Sequence, residues 1–236
     1  MAADQLTPSH LRVATYNVHD CVGRDGAYSP DRIASVVAGL DADVVALQEV
    51  TLDHAGDVVG LLQKNTRMQA IDGTLFERGI GRYGNLLLCR PSVIGQALHD
   101  LSFSGREPRG VIEAHLKTGL NRFSVFATHL GLSSRERRIQ IAGLARLAAE
   151  SPHPTILMGD FNIWYTRGAL APIRRAGFAG KTVASYPSRP WPVLALDRVF
   201  ARSPAVVTRC WRGTGATTAM ASDHLPILAE VDLRPA

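Results

Sequence analysis

Six short polar clusters stand at the ends of apolar, strand-like runs, and their side chains suit metal-assisted hydrolysis. Asn17 closes LRVATYN. Gln48 and Glu49 close DVVALQE. Thr128 and His129 lie near the end of FSVFATHL, and Asp160 and Asn162 follow TILMG. Asp197 sits at the head of LDRVF, and Asp223 and His224 precede LPILAEV. The set is rich in carboxylates, amides and imidazoles and contains no cysteine. Oxygen ligands of this kind suit a hard cation such as Mg²⁺, which keeps several of its waters. A histidine of near-neutral pKa can ready a water for attack.

Each cluster alone has an ordinary explanation. Asn17 and the Gly-Asp-Phe-Asn run at 159–162 use residue types that favour turns. Glu49 could cap or pair at the surface, and His129 could be a satisfied core histidine. Asp197 could be a strand-end charge, and Ser222-Asp223-His224 a helix cap or loop. It is their order, all six at strand ends, that makes them a candidate site.

Such residues need a rigid base, and loops at the rim of a layered α/β fold supply one. Strand-like and helix-like runs alternate along the chain, which predicts an α/β class. Leu11–Asn17 and Asp43–Glu49 read as strands. Between them Ser29-Pro30-Asp31 marks a helix start, with an N-cap serine, proline at the first position and an acid in the first turn, running to about Leu40. A second helix is expected over Asp53–Gln63. Asn85–Arg90, Val93–Phe103, Gly110–Lys117 and Phe123–Leu130 follow as strands without intervening helices, which suggests antiparallel pairing. Ser133 and Glu136 form a capping box opening a helix to about Glu150, with Ile141, Leu144, Ala145 and Ala148 on one face. Its arginines, Arg135, Arg137 and Arg138, read as a solvated face. Thr155–Gly159 is a strand, Thr166–Ala176 a short helix closed by Gly177, and Ser185–Pro192 a proline-crowded loop. Asp197–Ala201, Ala205–Trp211 and Pro226–Leu233 are the last strands. No repeat, linker or low-complexity tract interrupts the chain, so residues 1–236 read as one domain with its core at about 11–233.

The chain has 236 residues, 46% of them hydrophobic, enough for a core that needs no disulfide or structural metal. Its three cysteines, Cys21, Cys89 and Cys210, are widely spaced, which argues against a disulfide framework and a thiolate zinc site. The polar start MAADQLTPSH is unlike an export signal, and no run approaches the roughly 18–20 apolar residues of a membrane span. A cytoplasmic location is expected. The net charge of +5 rests mostly on arginine; such a surface could attract nucleic acid, an anionic headgroup or a phosphorylated metabolite.

The ordered motifs TYN, LQEV, the Gly-Asn of YGN, THLG, GDFN, LDRV and SDHLP resemble those of the endonuclease/exonuclease/phosphatase superfamily. That group includes deoxyribonuclease I, apurinic-site exonucleases, inositol polyphosphate phosphatases and bacterial sphingomyelinases. The resemblance runs from about Arg12 to Val231 and is closest to small bacterial members. It implies a four-layer α/β sandwich: two mixed, mainly antiparallel sheets packed face to face, helices outside, and an active site at one end of the sheets. It also implies roles. Glu49 would be the principal Mg²⁺ ligand, with Asn17 beside it and Asp223 contributing directly or through water; Mn²⁺ could substitute. His224 would be the general base, and Asp197 would orient its ring. Asp160 and Asn162 would orient the nucleophile and the phosphoryl oxygens. His129 would donate to a phosphate oxygen or assist the leaving group, and Arg109 would contact the phosphate. One departure stands out. Where the nuclease branch pairs its TH histidine with a glutamate, this chain offers Asn85, an amide that can orient His129 or meet phosphate but cannot stabilise an imidazolium. Phosphate binding is therefore the expected role of His129.

The implied activity is Mg²⁺-dependent cleavage of a phosphodiester or phosphomonoester, on a lipid headgroup or a small phosphorylated metabolite. The alternatives are a nuclease acting on DNA or RNA and, from another class, an inactive hydrolase fold that only binds. A compact chain with few lysines and no interleaved basic and aromatic stretch leans away from a dedicated nuclease. Trp164, Trp191 and His19 could approach the site or simply pack. A monomer is expected.

Overall fold

The computed structural model describes residues 9–233 apart from 54–55, 80 and 165–167. The described strands form two six-stranded sheets. In spatial order the first holds β11 (Val206–Arg212), β12 (Ile227–Asp232), β1 (His10–Asn17), β2 (Val44–Thr51), β4 (Gly81–Cys89) and β3 (Gln69–Arg78). The second holds β5 (Ser92–Asp100), β6 (Gly110–Thr118), β7 (Asn121–His129), β8 (Thr155–Asp160), β10 (Asp197–Arg202) and β9 (Phe178–Ala179). Each sheet has one parallel pair at its centre, β1–β2 and β7–β8, and is otherwise antiparallel. A parallel pair needs a crossover, and here each crossover is a helix: α1 (Pro30–Gly39) and α3 (Ser134–Ala149).

Alternation along the strands builds the layers. Val13, Val44 and Leu87 of the first sheet meet Ala114, Val125, Ile156 and Val199 of the second in a central core. Ala14, Tyr16, Val45 and Leu47 point the other way, onto Ile33 and Val37 of α1 and Leu62 of α2 (Val58–Thr66). Phe126, Leu157 and Phe200 likewise cover Ile141, Leu144 and Ala148 of α3 and Ile173 of α4 (Ala171–Arg175). The central strands of both sheets are thus buried on both faces, and the result is the expected four-layer α/β sandwich. Among the described residues, no helix is long and apolar enough to cross a membrane.

Local chemistry explains most boundaries. Ser29 Oγ accepts a hydrogen bond from Arg32 N at the start of α1, and Ser133 N donates to Glu136 Oε2 at the start of α3. Helix α2 begins later than Asp53. Asp57 is its N-cap, accepting from Gly60 N at 2.7 Å, while Asp53 instead accepts from Arg82 N at 2.6 Å. Of the expected helix at 166–176, residues 166–167 lie outside the described residues, and α4 covers only 171–175. Strand β3 was not expected: it is a half-exposed edge strand without an apolar run. Nor was α5 (Ala216–Ala221), whose sequence ATTAMA carries little helical signal.

Candidate active site

The C-terminal ends of the two central parallel pairs meet at one end of the sandwich. Asn17 lies in register with Gln48, and His129 with Asp160. Asp197 pairs with Asp160 across the antiparallel β10–β8 ladder. The Ser222-Asp223-His224 turn is tied to the end of β1 by Ser222 Oγ, which donates to Asn17 O at 2.8 Å and accepts from His224 N at 3.2 Å. These ends enclose a cavity of about 300 Å³ lined by Asn17, Glu49, Arg109, His129, Asp160, Asn162, Asp223 and His224, among others.

Irregular backbone aims the key side chains. The β2–β4 register slips between Leu47 and Val50, a bulge at which Glu49 adopts φ 56°. A non-glycine residue there is uncommon, and bulges re-aim side chains near active sites. Asn162 has φ 51°, and its N–H is held by Asp160 Oδ1 at 2.8 Å, a local turn that Asx side chains favour.

His224 Nδ1 lies 2.7 Å from Asp197 Oδ2, leaving Nε2 facing the cavity 3.9 Å from Asp160 Oδ2. The Tyr186 ring packs on the imidazole with centroids 4.9 Å apart. Burial lowers the pKa of His224, but the charge and hydrogen bond of Asp197, with Asp160 and Asp223, outweigh it and raise the value to about 10. Asp160 is pushed up to about 7 by burial and by repulsion from Asp197. His129 is driven well below its ordinary value by burial and by Arg109 and His224, so it is neutral.

Asparagine side chains link the charged groups of the site. Asn17 Nδ2 donates to Glu49 Oε1 at 2.9 Å and to Asp160 Oδ2 at 3.2 Å, while its oxygen accepts from His19 N. Its amide therefore bridges the two carboxylates by donation. Asn162 Nδ2 donates to Leu130 O at 2.9 Å and approaches His129 Nε2 at 3.1 Å. One amide nitrogen bonded to a carbonyl has a second hydrogen to give, so His129 Nε2 accepts here. To donate to phosphate it would have to release Asn162. Asn85 is buried on β4 beside Gly73, His99 and Gly110 and does not line the cavity; neither amide atom has a hydrogen-bond partner. His19 and Trp191 do not line it either.

Glu49 and Asp160 share the Asn17 donor and both flank His129 Nε2, at 3.8 and 3.6 Å. Two converging carboxylates, with Asp223 on the same cavity, form an oxygen-rich donor set that fits a hard divalent cation. Ligand atoms of Asp160, Asp197 and His224 also lie within 4.8 Å of one another, but the short Asp197–His224 hydrogen bond commits that pair to each other. Arg109 is buried, with Nη1 2.5 Å from Glu107 Oε1.

Sequence reasoning missed Arg78, Tyr83, Glu107, Leu132, Tyr186 and Leu196, all on the cavity wall. Tyr83 is the first residue of the YGN motif, and Glu107 lies two residues before Arg109. Arg78 comes from the unexpected strand β3, and Tyr186 from a loop with no periodicity.

Residues 14–224 match the Endonuclease/Exonuclease/phosphatase family, and the chain belongs to it, a family of phosphate-ester hydrolases. The Escherichia coli (strain K12) protein YbhP, itself described as uncharacterized, is 28% identical over 98% of this chain and 99% of its own length. Two solved structures share the fold. The mannosyl-6-phosphatase Bt3783 of Bacteroides thetaiotaomicron VPI-5482 has a TM-score of 0.73 at 18% identity, covering 94% of this chain and 99% of that one. D. rerio TDP2 complexed with a single-strand DNA product has the same TM-score, identity and coverages.

Proposed function

We propose that this chain hydrolyses a phosphodiester or phosphomonoester bond of a lipid headgroup or small phosphorylated metabolite, with Mg²⁺ assistance and His224 as the base. The observation that carries the reading is the Asp197–His224 pair, 2.7 Å apart, with Nε2 turned toward Asp160 in the cavity. Asp197 holds the ring so that Nε2 is free to take a proton from water, as an orienting carboxylate does in a triad. Asp160 and the Asn162 side-chain oxygen would orient that water by accepting from it, and Arg109 supplies a buried positive charge for the phosphoryl oxygens. Glu49 and Asp160 would hold Mg²⁺, with Asp223 in reach; bound there, the ion neutralises phosphoryl oxygen charge and stabilises the departing oxygen. A cation held there would offset the Asp160 charge, one of the influences that raise the His224 pKa.

The small cavity supports a small substrate. The second reading, a nuclease, draws on D. rerio TDP2 with its single-strand DNA product; the mannosyl-6-phosphatase favours the first. Three free cysteines suit a cytoplasmic enzyme, proposed to act as a monomer. Turnover of bis-p-nitrophenyl phosphate and p-nitrophenyl phosphate tests the proposal. Activity should require Mg²⁺ or Mn²⁺, vanish with EDTA, and fall by about 10² or more in His224→Ala. A fully active, folded His224→Ala protein would sink the mechanism.

A further inference from the structure

Two large apolar side chains stand in solvent on the cavity wall: Trp164, 58% exposed, and Leu132, 69% exposed. One exposed hydrophobic residue needs no explanation. Two on the wall of the cavity that also holds Glu49, Asp160 and His224 do. Binding a phosphate requires cations, amides and N–H groups, which the floor of the site already supplies; an indole and an isobutyl group add nothing to that task.

The backbone ties both to the chemistry. Leu132 is the third residue after His129. Its segment is held by Arg137, whose guanidinium donates to Leu132 O and, at 3.1 Å, to Gly131 O; Gln140 Oε1 accepts from Gly131 N at 2.8 Å. Trp164 is the second residue after Asn162, itself fixed by Asp160 and by Leu130 O. Both come from the second sheet. The first sheet contributes Arg78, stacked on Tyr83 at 4.0 Å to the ring centroid. The cavity thus has a polar, catalytic floor and an apolar shelf at its mouth.

We propose that Trp164 and Leu132 form a subsite for the alcohol part of the substrate, and that this part carries a flat ring that stacks on the indole. The inference rests on the phosphoesterase reading and narrows it. About 300 Å³ is at the low end of small-molecule pockets, with room for a phosphoryl group and one ring. An aromatic face gains by offset stacking and by burying apolar area. An open polyol phosphate would set its hydroxyls against a shelf with a single N–H to offer. The site therefore selects aryl or nucleoside phosphate esters over polyol phosphates.

Phosphonates test this without turnover. Calorimetric affinities of phenylphosphonate and methylphosphonate, measured with Mg²⁺, give a phenyl-to-methyl ratio for each protein. The ratio should be about tenfold in the wild type, fall to about one in Trp164→Ala, and persist in Trp164→Phe. No phenyl advantage in the wild type, or an advantage that survives Trp164→Ala, overturns the subsite. A phenyl advantage in a protein that hydrolyses nothing would instead fail the hydrolase reading and leave the subsite standing. Adenosine 5′-monophosphate against ribose 5-phosphate separates the sources. A base-dependent gain lost in Trp164→Ala assigns a nucleoside, and its absence beside an intact phenyl gain assigns a smaller aryl alcohol.

Discussion

His224 is governed by its neighbours' charges. Burial alone would leave it neutral, yet three carboxylates raise its pKa to about 10. Removing one of them should be costly. Asp197→Asn keeps the shape but not the charge and frees the wrong tautomer, so kcat on p-nitrophenyl phosphate should drop by about 10² or more; a loss under threefold would deny Asp197 its orienting role. The same shift predicts a pH effect on stability in EDTA. A histidine whose folded pKa is raised from 6.5 to about 10 contributes stability that is complete below about pH 6.5 and lost as pH climbs toward 10. Asp160, raised from 3.8 to about 7, acts in the same direction at lower pH, its protonated form being favoured by the fold. The thermal midpoint of the metal-free protein should therefore fall between about pH 7 and 9.5, and fall less in His224→Gln. Equal declines in the two proteins would contradict this account.

Strand ends deliver these groups, and two backbone features decide where they point. The β2 bulge gives Glu49 its left-handed conformation and turns its carboxylate toward Asn17. At Gly159, φ is 147° and an added Cβ would lie 1.9 Å from Thr128 O, so only glycine lets β8 run this close to β7. Gly159→Ala must push the parallel pair apart just where His129 and Asp160 are in register. It should cost at least ~2 kcal/mol through strain and clash, or about 4–8 °C in melting temperature, and reduce turnover as well. Differential scanning calorimetry decides it: a midpoint within a degree of the wild type would mean that the strands tolerate the methyl group. Ser222 has a comparable role at the third strand end, joining the catalytic turn to β1 by two hydrogen bonds.

Across the molecule, two sheets whose central strands are covered on both faces give a rigid platform, and the only parallel pairs described lie at its centre. The net charge of +5 gives a weak general attraction for anions, while the cavity itself is small. For whichever ester is turned over best, kcat/KM should change less than about threefold between roughly 50 and 200 mM salt, because few phosphates are engaged at once. A loss of about a thousandfold or more over that range would assign a polymeric nucleic acid instead.

The α/β class, the strands that carry the site and most of the cavity's charged floor could be read from the chain, because apolar periodicity and polar strand ends are local signals. Glu49, Asp160 and Asn162 end or follow such a run, and His224 precedes one. Local signals could not show that Asn85 does not line the cavity, that Asn17 offers its amide nitrogen to the carboxylates, or that Asn162 caps His129. Those outcomes depend on which atoms of distant segments meet and on how few hydrogen bonds each can make. Strand β3 was hidden because a half-exposed edge strand needs no apolar run. Trp164 and Tyr186 look alike in sequence, each an aromatic in a loop. Only packing decided that one stands open at the mouth while the other covers the His224 ring, since exposure is set by everything that folds around a side chain.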